Sequence, residues 1–133
     1  MKTVVIIEKG KDGTYSVYPD NHEISIIGEG TSVEEAKNDF MNSYHEIVEY
    51  YKESNKEIPQ ELIGADFEYK YDISSLFNEF NFINVSKFAQ WLGISPSLMR
   101  HYKSGDTYIS ANQAKKIEEG IHRLAARMLS ITL

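Results

Sequence analysis

Between Asn84 and Gly105 the chain reads NVSKFAQWLGISPSLMRHYKSG, and in this stretch caps, apolar spacing and two glycines agree on one local structure. Asn84 can cap a short helix in which Val85, Phe88, Ala89 and Leu92 recur at helical spacing, and Gly93 supplies the left-handed residue that ends it. Ser95 then stands as the N-cap of a second helix. Pro96 takes its first position, where a missing N–H is harmless, and Gly105 closes it behind an inward face of Leu98, Met99 and Tyr102. Two short helices joined by so brief a turn must cross at a steep angle. Small Ala89, four residues before Gly93, stands where a larger side chain would push them apart. The spacing predicts a helix-turn-helix.

The outward face of the second helix carries Ser95, Ser97, Arg100, His101 and Ser104, which are hydrogen-bonding side chains able to reach phosphates or base edges. Arg100 is the expected base reader, because one guanidinium can donate two hydrogen bonds to a single guanine edge. Lys103 is the expected phosphate anchor. The bland alternative is an ordinary helical hairpin with a solvated polar face.

The formal net charge of −6 hides an asymmetry. Residues 1 to 72 hold 7 Lys and no Arg against 16 Asp and Glu, a net of −9; residues 73 to 133 hold 7 Lys and Arg against 4 Asp and Glu, a net of +3. Nucleic acid repels the first half and admits the second, so charge divides the functions between two modules, 1–72 and 73–133. The modest +3 makes a DNA-binding unit of this kind dependent on pairing, and a homodimer or higher homo-oligomer is expected.

In the first module, Lys2 to Glu8 is a β-branched run, Gly10-Lys11-Asp12-Gly13 a turn, and Thr14 to Tyr18 an alternating partner, together a hairpin. Glu23 to Gly28 reads as a third strand. Ser32-Val33-Glu34-Glu35 is a capping box that opens a long helix, with Val33, Ala36, Phe40, Tyr44, Ile47, Val48 and Tyr51 on one stripe. After a loop bracketed by Pro59 and Gly64, Ala65 to Asp72 alternates Phe67, Tyr69 and Tyr71 against Asp66, Glu68 and Lys70, a fourth strand with one wet face. The order β-β-β-α-β gives an α+β domain with one helix across one sheet face. From Ile73 onward the pattern is all-α. Ser74 or Ser75 can cap a first helix with Leu76, Phe77 and Phe80 inward, and Ser110 to Gln113 opens a last helix striped by Ala114, Ile117, Ile121, Leu124, Ala125 and Met128. The apolar tail from Met128 to Leu133 is either a cover for the core or a dimer contact.

No catalytic set is visible. Asp12, Asp20 and Glu23 lie near turns, where carboxylates are normally solvated, and His22, His45, His101 and His122 show no ligand spacing, so neither a metal nor another cofactor is expected. The chain has no cysteine, no apolar run of membrane-spanning length and no secretory signal pattern in MKTVVIIEKGKDG, which makes the cytoplasm the default location.

The early strand pair, Tyr18-Pro19-Asp20, the passage from Gly28 to Ala36 that leads into the long helix, and the Asn84 to Gly105 motif with the Pro-free helix after it occur in this order along nearly the whole chain. In this the sequence resembles the HicB-type antitoxins of bacterial toxin–antitoxin pairs. One difference is local: Asn21-His22-Glu23 stands where many relatives have Leu-Pro-Gly after the Pro-Asp. The resemblance implies a truncated ribonuclease-H-like N-terminal domain without nuclease activity, which occupies a small basic HicA-type mRNA-cleaving toxin. It also implies a C-terminal domain that binds operator DNA of its own operon. A stand-alone transcription regulator, whose N-terminal domain senses a small ligand or only dimerises, is the alternative.

Overall fold

The β-branched residues Val4 to Ile7 form the centre of strand β1 (Lys2–Lys9), because side chains branched at Cβ pack well on a pleated surface. A computed structural model of the protein describes residues 2–21, 23–107 and 109–133. Asp12 accepts hydrogen bonds from the Thr14 backbone at 3.0 Å and its hydroxyl at 2.6 Å, closing the turn into β2 (Tyr15–Pro19), which pairs antiparallel with β1. Next come β3 (Gly28–Gly30), α1 (Val33–Glu53), a single 3-10 turn (Gln60–Leu62) and β4 (Asp66–Tyr71). The sheet order is β3-β2-β1-β4, with β3 antiparallel to β2 and β4 parallel to β1.

Alternation sorts the side chains of this sheet onto two faces. Val5, Ile7, Tyr15 and Val17 are buried on the face that α1 covers, where Ala36 and Phe40 of the helix are fully buried. Phe40 meets Phe67 and Tyr69 edge-on, with ring centroids 5.0 and 6.4 Å away. Tyr44 packs against Phe67 and donates its hydroxyl to the Leu62 carbonyl at 2.7 Å, so α1 also holds the segment that leads into β4. Ser32 caps α1 by accepting from the Glu35 N–H at 3.1 Å, as the capping box requires.

The third strand differs from the sequence expectation of Glu23 to Gly28. Ladder pairing is confined to Gly28, Glu29 and Gly30, opposite Val17, Ser16 and Tyr15. Before it, Ile24 donates its N–H to the Asn21 carbonyl, and Ile24 and Ile26 alternate into the core beside exposed Ser25 and Ile27. The period-2 pattern there reflects contact with the core, not strand pairing. His22 and Tyr108, the latter in the Asp106-Thr107-Tyr108 segment expected to loop between the last two helices, lie outside the described residues.

The helical half contains α2 (Ile73–Glu79), α3 (Val85–Leu92), α4 (Pro96–Ser104) and α5 (Ala111–Leu129). Asp72, not Ser74 or Ser75, caps α2: its carboxylate accepts from the Ser75 N–H at 3.1 Å and from the Ser75 hydroxyl at 3.0 Å. Buried Ser75 in turn accepts from the Lys9 N–H at 2.9 Å, which ties the first turn of α2 to the end of β1. The chain accordingly forms two compact units, Met1–Ser75 and Leu76–Leu133, and the division falls within α2.

In the second unit Phe77, Val85, Phe88, Ala89, Leu92, Ile94, Met99, Tyr102 and Ile117 form the buried set. Phe80 lies partly outside it. Of the expected α5 stripe, Ile117 is buried and Ile121 and Leu124 are half-buried, whereas Ala125 and Met128 are exposed. The tail does not cover the core: Leu129 is 88% exposed, and Ile131 and Leu133 are also in solvent. No helix among the described residues is long and apolar enough to cross a membrane.

Candidate nucleic-acid interface

The geometry of α3 and α4 follows from their ends. Asn84 caps α3 by accepting from the Lys87 N–H at 3.0 Å. At the other end Gly93 is left-handed, with φ of 76°, and the Ile94 N–H reaches back to the Ala89 carbonyl at 2.9 Å, a closure that also drives the Ile94 side chain into the core. Ser95 immediately caps α4, accepting from the Leu98 N–H at 3.4 Å, and Pro96 follows. The turn Gly93-Ile94-Ser95 therefore changes direction with the Gly93 and Ile94 N–H groups paired to α3 carbonyls. Fully buried Ala89 and Met99 sit one on each helix of this pair. Behind it, Gly120 of α5 receives the Leu92 side chain so closely that a Cβ there would overlap it.

The outward face of α4 holds the residues expected to meet DNA, and the structure gives them different tasks. Ser97 is exposed with Arg100 and His101. Ser95 and Ser104 are engaged by the helix ends: Ser95 is the N-cap, and the Ser104 hydroxyl lies 2.8 Å from Asp106 and 3.1 Å from the Arg100 carbonyl. His101 Nδ1 stands 3.3 Å from Asp106 Oδ2. The hydrogen bond from Ser104, then that of His101, hold the Asp106 carboxyl below the usual carboxylate range. Arg100 donates from Nη1 to the Ser86 hydroxyl of α3 at 2.9 Å. Lys103 is half-buried on the same helix.

Ser86, Asp106 and the pairing of Arg123 with Trp91 were not legible from spacing. The Arg123 guanidinium sits 4.8 Å from the Trp91 ring centre, and Trp91 stacks on Phe88 at 6.0 Å, so this cation is already placed against an aromatic face. Ser86 and Asp106 each lie one or two residues beyond a cap, where a polar side chain has many local uses and its long-range partner depends on the helix crossing.

In the first unit, the sheet face turned away from α1 presents Val4, Ile6, Tyr18, Glu68 and Lys70, with Ile6 opposite both Tyr18 and Lys70 and Val4 opposite Glu68. Tyr18 donates to Glu8 at 2.5 Å; burial, and then this carboxylate, push its hydroxyl above the ordinary tyrosine range. A cleft of about 510 Å³ beside Asn21 is lined by Thr3, Glu57, Gln60 and Glu61 together with Ile58 and Ile63. No group of three or more His, Asp or Glu side chains able to hold a metal ion occurs among the described residues.

No protein-family model, curated protein or solved structure matches this chain.

Proposed function

We propose that this protein is a DNA-binding autorepressor and antitoxin of the HicB type. In this reading α3, its turn and α4 are a helix-turn-helix, and α4 enters the major groove with Ser97, Arg100 and His101 toward base edges and Lys103 toward phosphate. The observation that carries it is the turn itself: a left-handed Gly93, an N-cap at Ser95 and buried Ala89 and Met99 hold α4 with an exposed polar face that bears Arg100. The net +3 of residues 73 to 133 favours approach to DNA, and the protein works as a homodimer or higher oligomer on a roughly palindromic operator.

The first unit is the inhibitory module. Its sheet order, three antiparallel strands followed by a helix and a fourth strand parallel to the first, supports a truncated ribonuclease-H-like topology. Its partner is a small basic HicA-type ribonuclease, steered by the net −9 of residues 1 to 72 and silenced by occupation of its RNA-binding groups. The protein itself catalyses nothing. A deep apolar pocket in this unit would favour the other reading, a stand-alone regulator that senses a small ligand; the cleft beside Asn21 mixes polar and apolar side chains and does not single that reading out.

Co-expression with the basic protein encoded beside its gene tests the antitoxin reading. The two proteins are expected to co-purify, and RNA cleavage by the partner to stop. A folded protein that neither binds nor silences that neighbour contradicts the reading.

A further inference from the structure

The side chain expected to read bases is not free in solution. Arg100 reaches across from α4 to α3, where its Nη1 donates to the Ser86 hydroxyl at 2.9 Å. Three properties of this contact bear on recognition. Its acceptor is a neutral hydroxyl, so the guanidinium is oriented without losing positive charge to a carboxylate. It uses one of the five N–H donors of the guanidinium, which leaves donors for a base edge. And Ser86 is itself half-buried on α3, a helix capped at both ends, whereas Arg100 is exposed, so the more enclosed side chain holds the exposed one.

From this we propose that Ser86 is a positioning residue for Arg100, and through it a determinant of sequence specificity. The inference rests on the DNA-binding reading given above. A long arginine side chain loses rotamer freedom when it docks on a base, and a hydrogen bond that selects the docked rotamer beforehand removes part of that cost. Ser86 thus acts on discrimination, because only the cognate base edge rewards a guanidinium fixed at one angle. The Ser104 hydroxyl, 3.1 Å from the Arg100 carbonyl, serves the helix end and leaves the guanidinium unaffected.

The test compares the full-length protein with Ser86→Ala, Ser86→Thr, Arg100→Ala and the Ser86→Ala/Arg100→Ala double variant. Each is titrated onto a duplex spanning the promoter of its own gene and onto a scrambled duplex of the same composition, with thermal melting as the control for folding. Ser86→Ala is expected to shrink the ratio of promoter to scrambled affinity by about three- to tenfold, a part of the bidentate contact it supports. Scrambled-duplex affinity and melting stay unchanged. Ser86→Thr, which keeps the hydroxyl, restores the ratio, and Ser86→Ala adds nothing once Arg100 is gone. The proposal is overturned if Ser86→Ala leaves the ratio intact while Arg100→Ala lowers it. It is equally overturned if Ser86→Ala weakens both duplexes by the same factor with or without Arg100. Wild-type protein that binds both duplexes equally removes the DNA reading and this inference together.

Discussion

Gly28 of β3 lies against the backbone of α1 at Phe40, with no room between them for even a methyl group. A Cβ at position 28 would meet the Ala36 carbonyl and the Phe40 N–H, which are backbone atoms that cannot rotate away. Phe40 is fully buried against Phe67 and Tyr69, so this glycine sets how deeply α1 seats on the sheet.

Gly28→Ala is therefore expected to destabilise the first unit by about 1–3 kcal/mol, the usual cost of forcing a methyl into a packed core. Chemical denaturation followed by circular dichroism measures it. Unchanged stability contradicts the seating described here.

The second unit has a comparable approach in which the neighbour is a side chain. At Gly120 a methyl group would overlap Leu92, which is buried and has little space to retreat. Alanine favours a helix by about 1 kcal/mol over glycine, so Gly120→Ala separates propensity from packing. It is expected to destabilise the wild-type background and to become neutral or stabilising in a Leu92→Ala background. A stabilising effect in both backgrounds would show that Leu92 moves freely.

The pattern along the chain shows why some of this was legible and some was not. Caps at Ser32, Asn84, Ser95 and Ser110 are local, since each side chain bonds a backbone N–H three residues on, and the sequence announces them. Strand β4 was equally readable because its aromatic residues alternate with charges. The third strand differs from its sequence pattern because Ile24 and Ile26 alternate to meet a core while lacking a ladder partner, and periodicity cannot tell these apart. The cap of α2 is hidden in the sequence because Asp72 also ends the strand pattern of residues 65 to 72, a position from which it serves both the strand and the helix. Of the candidate interface, the polar face of α4 was legible from spacing. The use of Ser104 and His101 on Asp106, and of Arg100 on Ser86, depends on contacts that spacing does not encode.

Asp106 gives a pH-dependent expectation. Its folded-state pKa lies below the ordinary carboxylate range, chiefly through the Ser104 hydrogen bond and then through His101. Its contribution to the closure of α4 is thus fully present above that ordinary range, and is lost as pH falls through the depressed folded value. An NMR titration of the Asp106 carboxyl is expected to show a depressed midpoint that moves upward in Ser104→Ala. A midpoint that ignores this substitution contradicts the assignment.

The proposed function requires α4 to read DNA sequence, and the affinity of wild type, Arg100→Ala and Lys103→Ala for the promoter of the protein's own gene and for scrambled DNA measures this most directly. Wild type is expected to prefer the promoter. Arg100→Ala should lose about 1–3 kcal/mol of that preference, the worth of one bidentate base contact. Lys103→Ala should weaken binding to both duplexes alike and flatten the salt dependence, as removal of a phosphate contact does. Equal affinity of the wild-type protein for promoter and scrambled DNA contradicts sequence reading by α4 outright.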